Sequence, residues 1–172
     1  MRPFVNAVRG VERTSGTGGA LAVLDGEPVA TARLRAIIGV AADASLSDPS
    51  DLLVHVAVPQ HDVTLAAAVL AGAKHDGRRV LCLITGNRVE RDAVEAELLN
   101  HPPLEPSNIA HVPSLDDAAG ISRVIARVLG DDAVAAARRH PALRAEVADA
   151  LIAKAARQSA TVGAVAVLPG AD

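Results

Sequence analysis

The sequence predicts an α/β fold in three layers. A four-stranded, mostly parallel sheet of P-loop or Rossmann-like type lies between helices, and further helices follow at the C-terminus. Three observations predict it. Between residues 20 and 130, apolar runs of strand length alternate four times with amphipathic helical runs, the pattern of strands joined by crossover helices. The runs Leu52 to Val58 and Val80 to Ile84 are almost unbroken apolar, as expected of parallel strands covered on both faces. After Gly130 the strand runs give way to helical periodicity. Three units follow: an N-terminal helix and linker over 1–19, an α/β domain over 20–130 and a helical extension over 131–172.

The elements are justified in chain order. Phe4, Val5, Val8 and Val11 stand near helical spacing in residues 2–13. Ser15 to Gly19 is a flexible joint. Ala20 to Leu24 is a short apolar strand, and Asp25-Gly26-Glu27-Pro28 is a turn. From Thr31, the residues Leu34, Ile37 and Ile38 mark a buried helix stripe. A loop around Pro49 leads to the strand Leu52 to Val58, which Pro59 stops. The helix Val63 to Ala73 is expected to turn Leu65, Val69 and Leu70 inward. Val80 to Ile84 is the clearest strand, and residues 88–99 make a helix with a charged face. Pro102, Pro103 and Pro106 mark a loop before a fourth strand, Ile109 to Val112. The helix from Asp116 to Leu129 carries Ile121, Val124, Ile125, Val128 and Leu129 on one stripe. Gly130 is its natural stop. Two helices, 131–139 and 141–157, are separated at Pro141. Right-handed crossovers are expected throughout.

Composition narrows the function. The chain has 172 residues, one Phe and no Trp or Tyr. Its core must be built from Ala, Val, Leu and Ile, and aromatic platforms for stacking bases are missing. The net charge of −3 supplies no basic field for DNA or RNA, so no nucleic-acid partner is expected. Cys82 is the sole cysteine. It excludes an internal disulfide, fits a reducing compartment, and sits in an apolar run where a core role is expected. The N-terminus carries no apolar signal-peptide core. No apolar stretch reaches the ~20 residues a spanning helix needs. The six histidines are scattered singly, with no i, i+3 or i, i+4 pair on a helix, so no metal is expected. His55 and His111 lie on different strands, each expected as a satisfied strand histidine. Asp131-Asp132 and Arg138-Arg139 read as the two ends of one helix, complementing its dipole. Ser15 to Gly19 has a phosphate-loop composition, but it precedes the first strand instead of following it.

Three segments carry a family resemblance. Gly26-Glu27-Pro28-Val29-Ala30-Thr31-Ala32-Arg33-Leu34 stands between the first strand and first helix. It looks like the G-x-P-x-x-G-K-S phosphate loop of Era-like GTPases. Asn87-Arg88-Val89-Glu90, after the strongest strand, resembles the N-K-x-D guanine motif. Pro113-Ser114-Leu115, after the fourth strand, is similar to the S-A-x loop behind the base. In order, each at a strand's carboxyl end, they make residues 20–130 resemble a degenerate Era-like or Ras-like small GTPase domain. The resemblance implies a vestigial nucleotide site at Gly26, Asn87, Glu90 and Ser114. The departures are chemical. The phosphate loop needs a second glycine, a lysine for the β/γ-phosphates and a hydroxyl for Mg²⁺. Those positions hold Thr31, Ala32 and Arg33, and the only lysines are Lys74 and Lys154. A G domain also carries two more strands, both switches and a D-x-x-G motif before the strand matching Leu52 to Val58. Here only Ala41 to Asp51 lies there, so nothing is left to place Mg²⁺ or the attacking water.

Pro141-x-Leu143-Arg144, an Ala-rich helix and Pro169-Gly170-Ala171-Asp172 resemble the start of an uncharacterised hydrophobic helical region found after bacterial GTPase-type domains. That family's tendency to continue into a membrane-associated segment implies a lead-in here. The uncharged run Thr161 to Leu168 has two open readings, a lead-in to a membrane surface or partner and a last element closing the core. The expected function is a non-catalytic pseudo-GTPase scaffold or adaptor of a membrane-associated bacterial protein, with no cofactor and with a protein partner or self-association. A cytoplasmic location, membrane-associated in the longer protein, goes with it. One alternative is a guanine-nucleotide binder without hydrolysis. Another is a Rossmann-like enzyme with its site at Gly26, Pro59, Gly86 and Ser114. The resemblance also implies strands parallel in sequence order, with Ala20 to Leu24 as an edge that Phe4 to Val11 or a second copy must cover.

Overall fold

In the computed structural model, residues 19–40 and 51–166 are described, with side chains described as far as Ser159. The strands are β1 Leu21–Val23, β2 Leu52–Ala57, β3 Arg79–Ile84 and β4 Ile109–His111. The helices are α1 Pro28–Ile38, α2 Thr64–His75, α3 Arg88–Leu99, α4 Ala118–Leu129, α5 Ala133–Arg139 and α6 Arg144–Ala166. The strands form one four-stranded sheet in the order β1-β2-β3-β4, and every neighbouring pair is parallel. The expected α/β architecture with C-terminal helices is the observed one.

Side chains alternate along β2 between the two faces of the sheet, because successive residues of a strand point to opposite sides. Leu52, Val54 and Val56 pack in a core cluster with Leu34 and Ile38 of α1 and with Ile121, Ile125 and Leu129 of α4. Leu53 and Ala57 pack in a second cluster with Ala67 and Leu70 of α2 and Leu98 of α3. One face is therefore covered by α1 and α4, the other by α2 and α3. Ala133, Ala136, Leu143 and Val147 join the first cluster, so the core extends past Gly130 to the start of α6. The small side chains of α5 are buried at Ala133, Ala135, Ala136 and Ala137. Such residues let helices approach closely in a core without large side chains.

This layering corrects the expected hand of the crossovers. The sheet advances in one direction from β1 to β3, yet α1 lies on one face and α2 on the other. The β1-α1-β2 and β2-α2-β3 crossovers therefore have opposite hands. With β2-α2-β3 and β3-α3-β4 of the usual right hand, the first crossover is left-handed.

Further corrections are local. Helix α1 begins at Pro28, three residues before Thr31, because proline suits the first helical position and Glu27 caps it. Leu65 and Val69 are exposed, whereas Leu70 is buried. The inward stripe of α2 runs instead through Ala66, Ala67, Leu70, Ala71 and Ala73, since alanines give the closer approach to the sheet. The last helix starts at Arg144, after a short 3-10 turn at Pro141–Leu143, and continues to Ala166. Residues 2–13 and the loop around Pro49 lie outside the described residues, as do Val167 and Leu168. Among the described residues no strand pairs with the outer edge of β1.

Leu143 and Val147 anchor α6 to the domain, and every residue from Ala148 to Ser159 is exposed. Beyond Val147 the helix buries no side chain as far as Ser159, and Lys154 reaches the domain through an exposed pair with Asp131. Among the described residues no helix is long and apolar enough to cross a membrane. Leu143→Ala should lower unfolding free energy by about 3 kcal/mol, as for other fully buried leucines. Ile152→Ala, on the projecting part, should stay within about 0.5 kcal/mol of the parent. Urea unfolding of the two variants checks the contrast.

Candidate functional site

In a parallel sheet all strands end at one rim, and all the following helices begin there. The loop of each βα unit must therefore satisfy a set of helix N–H groups at that rim. In α1, Glu27 accepts at Oε1 from Val29 N–H at 3.1 Å and at Oε2 from Ala30 N–H at 2.6 Å. Its carbonyl takes Thr31 N–H at 2.9 Å, and Pro28 has no N–H to offer. These amide bonds, Ala30 first, hold the Glu27 carboxyl below its ordinary value of 4.5. The donors a phosphate would need are occupied by the chain's own carboxylate.

The other three helices repeat the device. At α2, Asp62 Oδ1 accepts from Thr64 N–H at 2.8 Å. Hydrogen bonds from the Thr64 side chain and backbone hold this carboxyl below its ordinary value. At α3, Asn87 Oδ1 accepts from Glu90 N–H at 3.1 Å, and Glu90 Oε2 accepts from Asn87 N–H at 3.0 Å. The two residues expected to read guanine thus close a reciprocal capping box on each other. At α4, Asp117 Oδ1 accepts from Gly120 N–H at 2.8 Å.

Between these helix starts lies an open cleft of about 380 Å³. Its walls are Glu27, Val29 and Arg33 from the first unit, Val58 and Thr85 at the ends of β2 and β3, and Pro113 to Asp116 after β4. Ser114 stands in this wall. Its hydroxyl donates to Asp116 Oδ2 at 3.1 Å and accepts from Asp116 N–H at 3.0 Å. Asp116 Oδ1 pairs with the Arg33 guanidinium, and Arg33 Nε donates to the Leu115 carbonyl at 3.3 Å. Arg33 thereby latches α1 to the loop after β4. Asn87 and Glu90 are not among the lining residues of the cleft.

Gly26 is fixed by packing. A Cβ there would lie 2.5 Å from His55 Cε1, and its N–H donates to Thr31 Oγ1 at 3.1 Å. Gly86 adopts φ +105°, and a Cβ would meet Pro59 Cγ at 2.6 Å and Glu90 Oε2 at 3.0 Å. Pro59, Gly86 and Glu90 therefore meet at the end of β3.

The remaining candidates have structural partners. Lys74 donates to Asn108 Oδ1 at 2.6 Å and pairs with Glu105 at 3.3 Å. Lys154 pairs with Asp131 at 3.5 Å. Neither serves the β1–α1 loop. His55 is buried, with Nδ1 at 3.3 Å from the Leu24 carbonyl. His111 pairs with Glu95 at 2.8 Å. The register sets His55 beside Cys82 and His111 beside Ile84, so the two histidines do not meet. Cys82 is buried, and desolvation pushes its thiol up to about 12. Among the described residues no cluster of His, Cys, Asp and Glu could hold a metal ion. The capping role of Glu27 was legible in principle: an acidic residue followed by proline is a helix-start signature. The Arg33–Asp116 latch joins residues far apart in the chain and leaves no local signal. Comparison with family models, curated proteins and solved structures finds no match to this chain.

Two outcomes follow from these contacts. Glu27→Ala should lower the urea midpoint, because it strands the Val29 and Ala30 amides, and Glu27→Asp should recover part of the loss. The second concerns pH. Burial lowers the pKa of both His55 and His140 from 6.5, with backbone carbonyls offsetting part of the shift. The folded state therefore binds fewer protons than the unfolded chain just below 6.5. Stability is full above that value and is lost as pH falls through the lowered folded values. Unfolding curves at neutral and mildly acidic pH should show the loss, and His140→Gln should reduce it.

Proposed function

We propose that this chain is a non-catalytic module descended from a small GTPase domain, acting as a scaffold or adaptor. The observation that carries the reading is the Glu27 cap. It sets a carboxylate on the α1 amides that would face a phosphate, and its charge repels one. No lysine reaches this loop, and Asn87 and Glu90 are engaged with each other. The left-handed first crossover also supports the resemblance. A G domain has two further strands between its first helix and the strand matching β2. Removing them would join a helix on one face directly to a strand whose next helix lies on the other. Membership of a larger, membrane-associated bacterial protein rests on the C-terminal resemblance alone.

The purified chain should release no phosphate from Mg²⁺–GTP above the blank. Calorimetry should detect no magnesium-dependent binding of GTP or GDP. Phosphate release, or tight binding abolished by Asn87→Ala, would overturn the reading and favour a working guanine site.

A further inference from the structure

The rim that carries the helix starts has a second property, independent of nucleotide chemistry. Val29, Leu65 and Val89 are 73%, 77% and 78% exposed, among the most exposed large apolar residues described. Each is the second residue of its helix. Side chains in a first turn tilt toward the helix N-terminus, so all three project from the carboxyl rim of the sheet with no preceding turn to cover them. The carboxylates of Glu27, Asp62, Glu90 and Asp117 lie at the same helix starts. None has an ion-pair partner among the described residues. A helix N-terminus offsets about half a charge, and Arg88 at the start of α3 is paired with Asp92 at 3.9 Å, so the four caps together leave the rim negative. Exposed apolar groups and carboxylates thus share the carboxyl rim of the sheet.

We propose that this rim docks a basic amphipathic helix of another protein. The proposal rests on the scaffold reading and names its partner-binding surface. Charge complementarity selects the occupant: lysines or arginines flanking an apolar stripe satisfy both halves of the mosaic. An anionic membrane is repelled by the same carboxylates. A second copy would bring two acidic rims together, which costs energy.

The test uses the full chain, ¹⁵N-labelled, and a fluorescent 18-residue peptide of leucine and lysine at amphipathic helical spacing. A leucine–glutamate peptide of the same pattern is the control. The expected result is that the lysine peptide shifts the amide signals of Val29, Leu65, Val89 and Gly86, and that added salt weakens it. The triple variant Val29→Ser, Leu65→Ser, Val89→Ser should lose at least about tenfold in affinity with an unchanged melting temperature, since all three side chains are exposed. Equal binding of the glutamate peptide, shifts confined to other surfaces, or full affinity in the triple variant overturns the proposal. So does pelleting with phosphatidylserine vesicles, or a concentration-dependent dimer, if the triple variant abolishes it. Peptide binding that fails while no phosphate is released sinks this proposal and leaves the scaffold reading standing. Phosphate release sinks the scaffold reading itself.

Discussion

Four helices that begin on one rim need acceptors for their first N–H groups at the same place. In nucleotide-binding α/β proteins a ligand phosphate can be that acceptor, drawn by free amides and the helix dipole. This chain meets the need from within, with Glu27, Asp62, the Asn87–Glu90 box and Asp117. Each of the four helix starts thus has at least one acceptor supplied by the chain itself. The consequence is reciprocal. Each carboxylate that stabilises a helix also raises the cost of bringing a phosphate to it.

The rest of the molecule follows from building a core without large aromatic side chains. Leu, Ile and Val from β2 and β3 fill both faces of the sheet, and alanine-rich stretches of α2 and α5 allow the helices to sit close. The polar groups inside are few. Thr31, His55, Ser122 and His140 are the buried polar residues described. His55 shares its face of the sheet with Cys82, bonds to the Leu24 carbonyl and fills the space that Gly26 leaves open. One buried imidazole therefore fixes the path of the first loop, and its neutral state is part of that fit.

How much of this could be read from the residues depended on the range of the interaction. The strands and the helix Arg88–Leu99 were legible because apolar period and punctuation are local, whereas the strand order came only from the family resemblance. The stripe of α2 was misread at Leu65 and Val69, since hydrophobicity points inward only where the sheet leaves room, and there it leaves room for alanine. Asn87 and Glu90 show how one pattern serves two chemistries. The spacing that suits a guanine motif also suits a capping box, and in the structure the two residues cap each other. The Arg33–Asp116 latch and the hand of the first crossover were invisible, because both depend on which face α1 occupies.

That hand has a structural cost, and its location shows how the chain bears it. A left-handed crossover strains a short connection, since the twist of the strands favours the other return path. The link from α1 to β2 spans residues 39–51, whereas α2 is joined to β3 by residues 76–78. The uncommon hand sits where the connection is long enough to absorb it. A long connection, however, holds a three-residue edge strand weakly, because little sequence separates pairing from slipping. Asp51 answers this at the end of the link. Its backbone N–H donates to the Ala20 carbonyl at 2.9 Å, and its carboxylate accepts from Ala20 N–H at 3.0 Å and from Gly19 N–H. The clamp joins the starts of β1 and β2 directly and sets Leu21 opposite Leu52. From that register follow the position of Gly26 against His55, the start of α1 and the direction in which Glu27 presents its carboxylate.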